Sequence, residues 1–292
     1  MNLTDFGLLV KALRHNRVDN YGNRWTRESL SENIHLTPNQ LGRLERGDRK
    51  YLDTQTLQLL AKSLNLTNLE QKEFFYAAVG LTDEELHSQV DPESQLNNLV
   101  GIIESLRVPA FITDNYSDIV AASESILNLY QITPAIIDFN GELPAGFNCL
   151  YYTYFSGMRF KEIVGATHWR KSADRTMLLF RRSTLRYRHT DYFNYILKAV
   201  LKDKQFDVDW YSSHRFIDHS DITYGRFKYE HPCYGPLSYI ATETLISTVR
   251  GDLYLIIYNP ADDVTFTTFT KLLNTNENKT RRLAPWPEKK MI

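Results

Sequence analysis

Apolar side chains recur at helical spacing through the first 80 residues of the chain. The intervals i, i+3, i+4 and i+7 define one buried face on each of three segments. They predict a helix over 4–16, a helix capped by Thr54, and a helix from Leu69 to Val79 that stops at Gly80. The inward residues of these helices are Phe6, Leu9, Val10, Leu13, Leu57, Leu60, Ala61, Leu64, Phe74, Phe75 and Ala78.

The segment from Arg24 to Gly47 carries signals for two further short helices around a turn. Thr26 and Thr37 are suitable N-cap residues, and Pro38 stands at the first helical position, where its missing N–H costs nothing. Gly47 suits the position just after the second helix. The apolar side that the two helices share consists of Leu30, Ile34, Leu36, Leu41 and Leu44. This pattern predicts a helix-turn-helix.

The rest of the chain alternates between strand and helix signals. Two apolar runs predict a β-hairpin over 108–123, helical spacing covers 124–204, and strand patterns return over 224–258. This order predicts an α+β domain in which one antiparallel sheet has helices packed on one side.

These signals divide the chain into two domains, a linker and a tail. The parts are a helical domain over 1–80, an acidic linker with a connecting amphipathic helix over 81–104, the α+β domain over 105–273 and a flexible tail over 274–292. A chain of 292 residues is long enough for two separate cores.

The Arg24–Gly47 segment resembles the Cro/repressor-like (XRE) DNA-binding domain. The resemblance rests on Leu30-Ser31, on His35-Leu36-Thr37 and on the ending Leu44-Glu45-Arg46-Gly47. It implies an all-α, lambda-repressor-like bundle of five helices. The sequence departs from the family where His35 replaces the turn glycine, Ser31 the usual alanine and Arg27 the usual glutamine. Histidine tolerates a positive φ better than most residues, so the turn can be kept.

The second domain resembles the ligand-binding domain of MmyB-like transcription regulators, a PAS-like family in which a member holds a fatty acid such as myristate. The resemblance covers about residues 105–260. Its residues are Val108 to Phe111, Asp114, Asp118 to Val120, Trp169, Ala173, Arg181, Arg182, Phe206, Trp210, His214, Phe227 to Leu237 and Leu255 to Pro260. Ala121 to Ser123 stand where the family usually has Trp-Asn, which leaves the ligand's length open.

A helix beginning at Thr37 directs one polar face away from its leucines. The candidate DNA contacts on this face are Thr37, Asn39, Gln40 and Arg43, since Asn and Gln can read adenine and Arg can read guanine. Thr26 and Arg27 can meet phosphate at a helix N-terminus. Related proteins read palindromes as dimers, so we expect a homodimer on double-stranded DNA.

A fatty acid needs an apolar tunnel and one polar anchor for its carboxylate. The candidate tunnel residues are Phe111, Ile119, Trp169, Leu178, Trp210, Leu255 and Ile257. The candidate anchors are His214, Arg215, Tyr229 and His231. The alternatives are plain core for the tunnel residues and a strand-end hydrogen bond for His231. The basic run over 170–188 is read either as a solvated helix face or as a contact to the DNA backbone.

Composition narrows the function classes. Aromatic residues make up 13% of the chain, which suits a large core or an apolar pocket. Residues 11–50 hold nine Lys/Arg against five Asp/Glu, whereas residues 51–100 hold two against eight, so the predicted helix-turn-helix is locally positive. Cys149 and Cys233 form neither a disulfide framework nor a zinc motif, and no signal peptide, membrane span or catalytic motif is recognisable.

We therefore expect a cytoplasmic, non-enzymatic transcription regulator without metal or membrane partner. Its second domain is expected to sense a small apolar ligand, a fatty acid such as myristate. One alternative is a DNA-binding regulator whose second domain only dimerises or binds a protein. Another is a PAS-like domain that holds haem or flavin.

Overall fold

The computed structural model describes residues 3–19, 21–48, 52–79, 91–212, 225–273 and 278–291. Residues 81–90 of the acidic linker and connecting helix predicted over 81–104 lie outside these ranges. The helices of the N-terminal part are α1 (Leu3–His15), α2 (Arg27–Ser31), α3 (Pro38–Glu45), α4 (Thr54–Ser63) and α5 (Asn68–Val79). No helix among the described residues is long and apolar enough to cross a membrane.

The caps around α2 and α3 follow the sequence signals. The Thr26 hydroxyl accepts a hydrogen bond from the Ser29 N–H, and Thr37 forms a capping box with Gln40. Gly47 has a φ of 78°, the left-handed conformation that glycine adopts after a helix. For α4 the predicted cap is wrong by one residue. Asp53 is the N-cap, because its carboxylate accepts the Thr56 N–H and a hydroxyl bond from the same residue.

The five N-terminal helices surround one apolar core. Its largest fully buried members include Phe74, Leu9, Leu30, Leu41, Leu44 and Leu60. Leu185, which comes from the second half of the chain, is also fully buried in this core. The core is therefore completed by a residue more than 100 positions away from the rest of it.

The C-terminal part is built on a six-stranded antiparallel sheet in the order β3-β4-β5-β1-β2-β6. Its strands are β1 (Ala110–Asp114), β2 (Ile119–Ser123), β3 (Gly225–His231), β4 (Gly235–Ile246), β5 (Leu253–Pro260) and β6 (Thr280–Arg282). The hairpin predicted over 108–123 is thus present as β1 and β2, and the three later strands lie where the pattern over 224–258 predicts them.

Helices occupy the region between β2 and β3, as predicted. The helices that precede, join and follow the strands are α6 (Pro92–Ser105), α7 (Glu124–Leu129), α8 (Pro134–Gly141), α9 (Cys149–Tyr154), α10 (Phe160–Val164), α11 (Ala166–Ser183), α12 (Asp191–Val200), α13 (Lys204–Tyr211) and α14 (Asp263–Lys271). A single 3-10 turn over Leu185–Tyr187 follows α11 and inserts Leu185 into the N-terminal core.

The prediction that helices cover one side of the sheet is wrong. Helix α6 packs on the opposite face, where its Leu96, Leu99 and Ile103 form one cluster with residues of three strands. The strand members of that cluster are Ala110, Ile112, Val120, Ala121, Leu253 and Leu255. The amphipathic helix predicted as a connector is therefore also the cover of a sheet face, because its apolar stripe needs a surface to bury.

The prediction of a flexible tail is wrong for residues 278–291. The segment Thr280–Arg282 pairs with β2 as β6, so backbone hydrogen bonds rather than apolar side chains hold it. Further on, the Lys289 ammonium forms ion pairs with Asp114 and with Asp118, the second at 2.9 Å. The tail thereby closes one edge of the sheet and returns to the β1–β2 turn.

Candidate functional site

A cavity of about 180 Å³ lies between one face of the sheet and helices α7, α9 and α11. Alternate residues of neighbouring strands share a face, and the register pairs Phe111 with Ile256 and Thr113 with Tyr254. These four residues, together with Tyr258, form the floor of the cavity. The wall opposite is the polar and apolar stripe of α11.

Three tyrosines that line the cavity bond to one another instead of to solvent. The Tyr130 hydroxyl lies 3.0 Å from that of Tyr258 and 3.4 Å from that of Tyr239. The rings of Tyr239 and Tyr258 stack with centroids 4.4 Å apart. Burial raises the pKa of all three phenols, so they remain protonated near neutral pH. They give an otherwise apolar cavity a small set of neutral hydroxyl groups.

Four charged side chains line the cavity, namely Asp114, Arg175, Arg182 and Glu243. Three of them are paired directly: Arg182 Nη2 donates to Glu243 Oε1 at 2.6 Å, and Asp114 binds the Lys289 ammonium described above. Among the described residues, the Arg175 guanidinium donates only to the Ala241 carbonyl oxygen, at 3.3 Å. Its Nη1 is buried and has no hydrogen-bond partner among the described residues.

Two of the predicted tunnel residues, Phe111 and Ile119, line this cavity. Leu255 and Ile257 do not, and their assignment to the tunnel is wrong. They lie on the other face of the sheet with α6, because side chains alternate along β5. The neighbours Tyr254, Ile256 and Tyr258 face the cavity in their place.

Trp169, Leu178 and Trp210 belong to the solid core instead of the cavity wall, so their assignment to the tunnel is wrong too. The Trp169 indole N–H donates to the Thr153 carbonyl at 2.7 Å, which fixes α11 to α9. Leu178 faces the helices behind α11, one position away from Leu179, which does line the cavity.

None of the predicted anchors lines the cavity among the described residues. The His231 ring is buried, and it donates from Nε2 to the Leu129 carbonyl at 2.9 Å and accepts the Cys233 N–H at Nδ1. This is the strand-end role given above as the alternative. Tyr229 is buried beside Tyr239 but does not reach the cavity. His214 and Arg215 lie outside the described residues.

The second half of the chain matches a known family over most of its length. Residues 97–272, more than half of the chain, match the model of the MmyB-like transcription regulator ligand binding domain. The chain belongs to this family. No curated protein matches it. A cavity between sheet and helices in an MmyB-like domain is accordingly the candidate ligand site, and the family consists of transcription regulators. Within the described residues, no group of three or more His, Cys, Asp or Glu side chains could hold a metal.

In the N-terminal part of this MmyB-like chain, the four polar residues predicted on α3 are all exposed: Thr37, Asn39, Gln40 and Arg43. Gln40 uses its amide oxygen in the capping box, where it accepts the Thr37 N–H at 2.8 Å. The side chains of Asn39 and Arg43 are directed to solvent, and neither has a hydrogen bond among the described residues. Thr26 is exposed at the start of α2.

The Arg27 side chain forms an ion pair with a buried carboxylate. Glu45 accepts hydrogen bonds of 2.7 Å from Arg27 Nε and from Arg14 Nε, and Arg14 also donates to the Trp25 carbonyl. Burial acts to raise the pKa of Glu45, but the two guanidinium groups outweigh it and lower that pKa. The Arg27 side chain remains 41% exposed, so its outer nitrogens still face solvent. His35 does not have a positive φ, and the turn therefore places no special demand on this residue.

A buried ion cluster joins the two parts of the MmyB-like chain. Glu70 of α5 is fully buried and binds two guanidinium groups, those of Arg188 and of Arg181, the second at 3.1 Å. Its other oxygen accepts the Thr67 N–H at 2.8 Å. Arg181 and Arg188 also lie over the ring of Trp210. The reading of 170–188 as a solvated face is wrong for these two arginines.

Sequence reasoning missed Arg175 and Glu70. Helical spacing offers a signal for the first, since Ser172, Arg175, Leu179 and Arg182 recur at i, i+3, i+7 and i+10 and share the cavity side of α11. No comparable signal exists for Glu70, which looks like an exposed residue of the first turn of α5 and finds its partners 111 and 118 positions later.

Proposed function

We propose that this protein is a sequence-specific DNA-binding transcription regulator controlled by a small apolar acid. In this proposal α2 and α3 form a helix-turn-helix within a lambda-repressor-like bundle, and the protein binds palindromic DNA as a homodimer. The C-terminal domain is PAS-like and takes a fatty acid or a related acid. The observation that carries the proposal is that one helix, α11, both lines the cavity and holds the N-terminal bundle through Glu70.

Exposure and charge support the DNA-binding half. Asn39 and Arg43 project from a helix whose opposite side is buried, and Arg24, Arg43 and Arg46 are all exposed in its neighbourhood. The recognition helix of such a motif enters the major groove with its N-terminal residues against base edges. The capping box at Thr37 and Gln40 fixes the start of that helix.

The family, the cavity and its chemistry support the ligand half. An apolar cavity with a few convergent polar groups is the usual form of a small-molecule site. The hydroxyl groups of three tyrosines and the guanidinium of Arg175 provide those polar groups here. Myristate is the first fatty acid to test, because a related protein holds such an acid.

Coupling requires that the ligand favour one arrangement of the two parts over another. Helix α11 provides the connection, since Leu179 and Arg182 face the cavity while Arg181 faces Glu70. A shift of α11 on ligand binding therefore moves a guanidinium that binds Glu70. Glu70 belongs to the N-terminal part, which contains the proposed helix-turn-helix. The sign of the response, activation or repression, follows from the site that the dimer occupies.

The ligand half is tested by organic extraction of the purified full-length protein, followed by mass spectrometry. A stoichiometric apolar acid supports the proposal. If the extract is empty, and the melting temperature does not respond to added acids of any chain length, the second domain only dimerises or binds a protein. An absorbance spectrum of the purified protein tests for haem or flavin at the same time.

The DNA half is tested by selecting duplexes from a random pool and measuring binding by fluorescence anisotropy. We expect Arg43→Ala to weaken binding to the selected site by about 1–3 kcal/mol if Arg43 contacts a base. Arg250→Ala removes the same charge at an exposed position of the second domain and serves as the control. Equal losses in the two variants would exclude a base contact by Arg43.

A further inference from the structure

One charged group of the cavity, the Arg175 guanidinium, has no direct ion pair among the described residues. Of the four charged lining residues, Arg182 is paired with Glu243 and Asp114 with Lys289. Arg175 is left with a single neutral acceptor, the Ala241 carbonyl, and a buried Nη1 without a partner among the described residues. A buried unpaired charge is costly, and an anionic group in the cavity would remove that cost.

The glycine at position 225 leaves room for this guanidinium. A Cβ at Gly225 would come within 2.7 Å of Arg175 Nη1, so a side chain larger than glycine at this point of β3 would displace the group. The Phe227 ring lies on another side, 5.9 Å from the guanidinium carbon. Burial lowers the pKa of Arg175, which agrees with a charge that lacks compensation in this site. Glycine, aromatic ring and carbonyl frame the guanidinium of a residue that lines the cavity.

The size of the cavity limits what can lie beside Arg175. Its volume of about 180 Å³ slightly exceeds the roughly 150 Å³ of an engineered cavity that binds benzene. It is smaller than the roughly 300–1,000 Å³ typical of sites for drug-sized ligands. A ring or a medium-length acyl chain fits this space, whereas a long chain such as that of myristate exceeds it, so that part of the chain extends beyond the cavity or the walls move apart.

We propose that the cavity binds a small carboxylic acid whose carboxylate pairs with Arg175 and whose apolar part is an aromatic ring or a medium-length acyl chain. This inference rests on the proposed function, since it names the ligand class of the same cavity. The planar guanidinium can donate two parallel hydrogen bonds to a carboxylate, a geometry that lysine does not offer. The Ser172 hydroxyl lines the cavity one turn before Arg175 and on the same side of α11.

The test compares acids with the matching alcohols on full-length protein freed of bound lipid. Isothermal titration calorimetry is carried out with octanoate and hydrocinnamate, with octanol and hydrocinnamyl alcohol, and with myristate. We expect both short acids to bind more tightly than their alcohols and more tightly than myristate. Arg175→Gln should weaken the acids about tenfold to a hundredfold and leave the alcohols unchanged, as expected for one lost charge-assisted pair.

Three further variants test the interpretation. Arg175→Lys keeps the charge and should recover part of the acid affinity, which shows that a loss in Arg175→Gln is not a folding defect. Lys171→Gln removes one positive charge from the exposed side of the same helix and should leave all affinities unchanged. Gly225→Ala should weaken the acids because the new methyl group displaces the guanidinium.

The outcomes separate this inference from the function it rests on. Equal affinity for acids and alcohols, with no effect of Arg175→Gln, overturns the role of Arg175 and leaves an apolar-ligand regulator. Tighter binding of myristate than of octanoate overturns the size limit. If no acid or alcohol of any length binds, the proposed ligand sensing is overturned, and the inference with it.

Discussion

Helix α11 meets two parts of the molecule, and it is packed differently against each. On the side of the N-terminal bundle, Arg181 pairs with the Glu70 carboxylate and donates to the Trp210 carbonyl, and the turn that follows buries Leu185. On the side of the sheet, Arg175 has one weak acceptor among the residues that the structure describes, and Leu179 faces a cavity instead of a core. One helix therefore has a closed side and an open side.

The difference indicates where motion is inexpensive. Well-packed interfaces and satisfied ion clusters resist small displacements, since each lost contact costs energy. A cavity leaves side chains with fewer contacts to lose. Under the proposed function, a ligand alters the open side at low cost, and the closed side must carry the change to α5.

The largest effect is expected at Glu70. Glu70→Gln keeps the shape of the side chain but leaves two buried guanidinium groups without a carboxylate, which should destabilise the protein by about 3–5 kcal/mol. The measurement is urea unfolding followed by circular dichroism. Ligand affinity should change less than stability, because Glu70 lies on the closed side.

Glu73→Gln is the matched control, one turn along α5. Burial raises the pKa of Glu73, and no described ion pair holds it, so neutralising its charge should cost little. Equal stability of the two variants would mean that the Glu70 cluster does not hold the closed side together.

The adjacent residues Leu178 and Leu179 offer a direct comparison of the two kinds of packing. Leu178→Ala should destabilise the protein by about 2–5 kcal/mol because it opens a new hole in a filled core. Leu179→Ala should cost clearly less, about 1–2 kcal/mol, because its side chain already borders a cavity.

The same pair should differ in the opposite direction for binding. Leu179→Ala enlarges the cavity and should shift preference toward longer acids, while Leu178→Ala should leave chain-length preference unchanged. Calorimetric titration with a series of acids measures both. Identical unfolding midpoints and identical preferences would remove the distinction between a closed and an open side of α11.

The smallest effect concerns acid stability. Burial acts to raise the pKa of Glu70, but Arg181 and Arg188 outweigh it, so the pKa is lowered from 4.5. A carboxyl group whose pKa is lower in the folded state stabilises the protein above its unfolded pKa, and that stabilisation disappears as pH falls through the folded value. Glu45 shifts in the same direction.

We therefore expect the free energy of unfolding to fall below about pH 4.5, and to fall less steeply in Glu70→Gln, which lacks the titrating group. Urea unfolding at a series of pH values measures both slopes. Parallel curves for the wild type and the variant would show that Glu70 titrates alike in folded and unfolded chains.

Helix starts that are fixed by interactions between neighbouring residues could be predicted from the sequence. Thr26 and Thr37 mark helix starts by hydrogen bonds within one turn, and Pro38 does so by its fixed φ. The structure has α2 and α3 where these residues predict them. The faces of β5 are a different case. Every residue from Leu253 to Tyr258 is apolar or aromatic, so no alternation in the sequence distinguishes the cavity face from the α6 face.

Pairings between residues far apart in the sequence could not be predicted either, because no local sequence signal marks them. Glu70 and Arg188 are 118 residues apart, and the sequence around each residue gives no indication of the other. The strand β6 is polar and binds β2 by its backbone, so its sequence resembles an ordinary tail. Arg175 was hidden in a basic stretch, because its importance comes from the partner it lacks and not from its residue type.

Leu185 has a consequence for how the whole molecule melts. Because it fills the N-terminal core from the C-terminal part, neither part can unfold without exposing apolar surface of the other. The two parts should then lose their structure in a single cooperative transition, although the sequence divides them clearly. Any molecule that stabilises the cavity would, by the same linkage, raise the melting temperature of the five N-terminal helices, which it never touches.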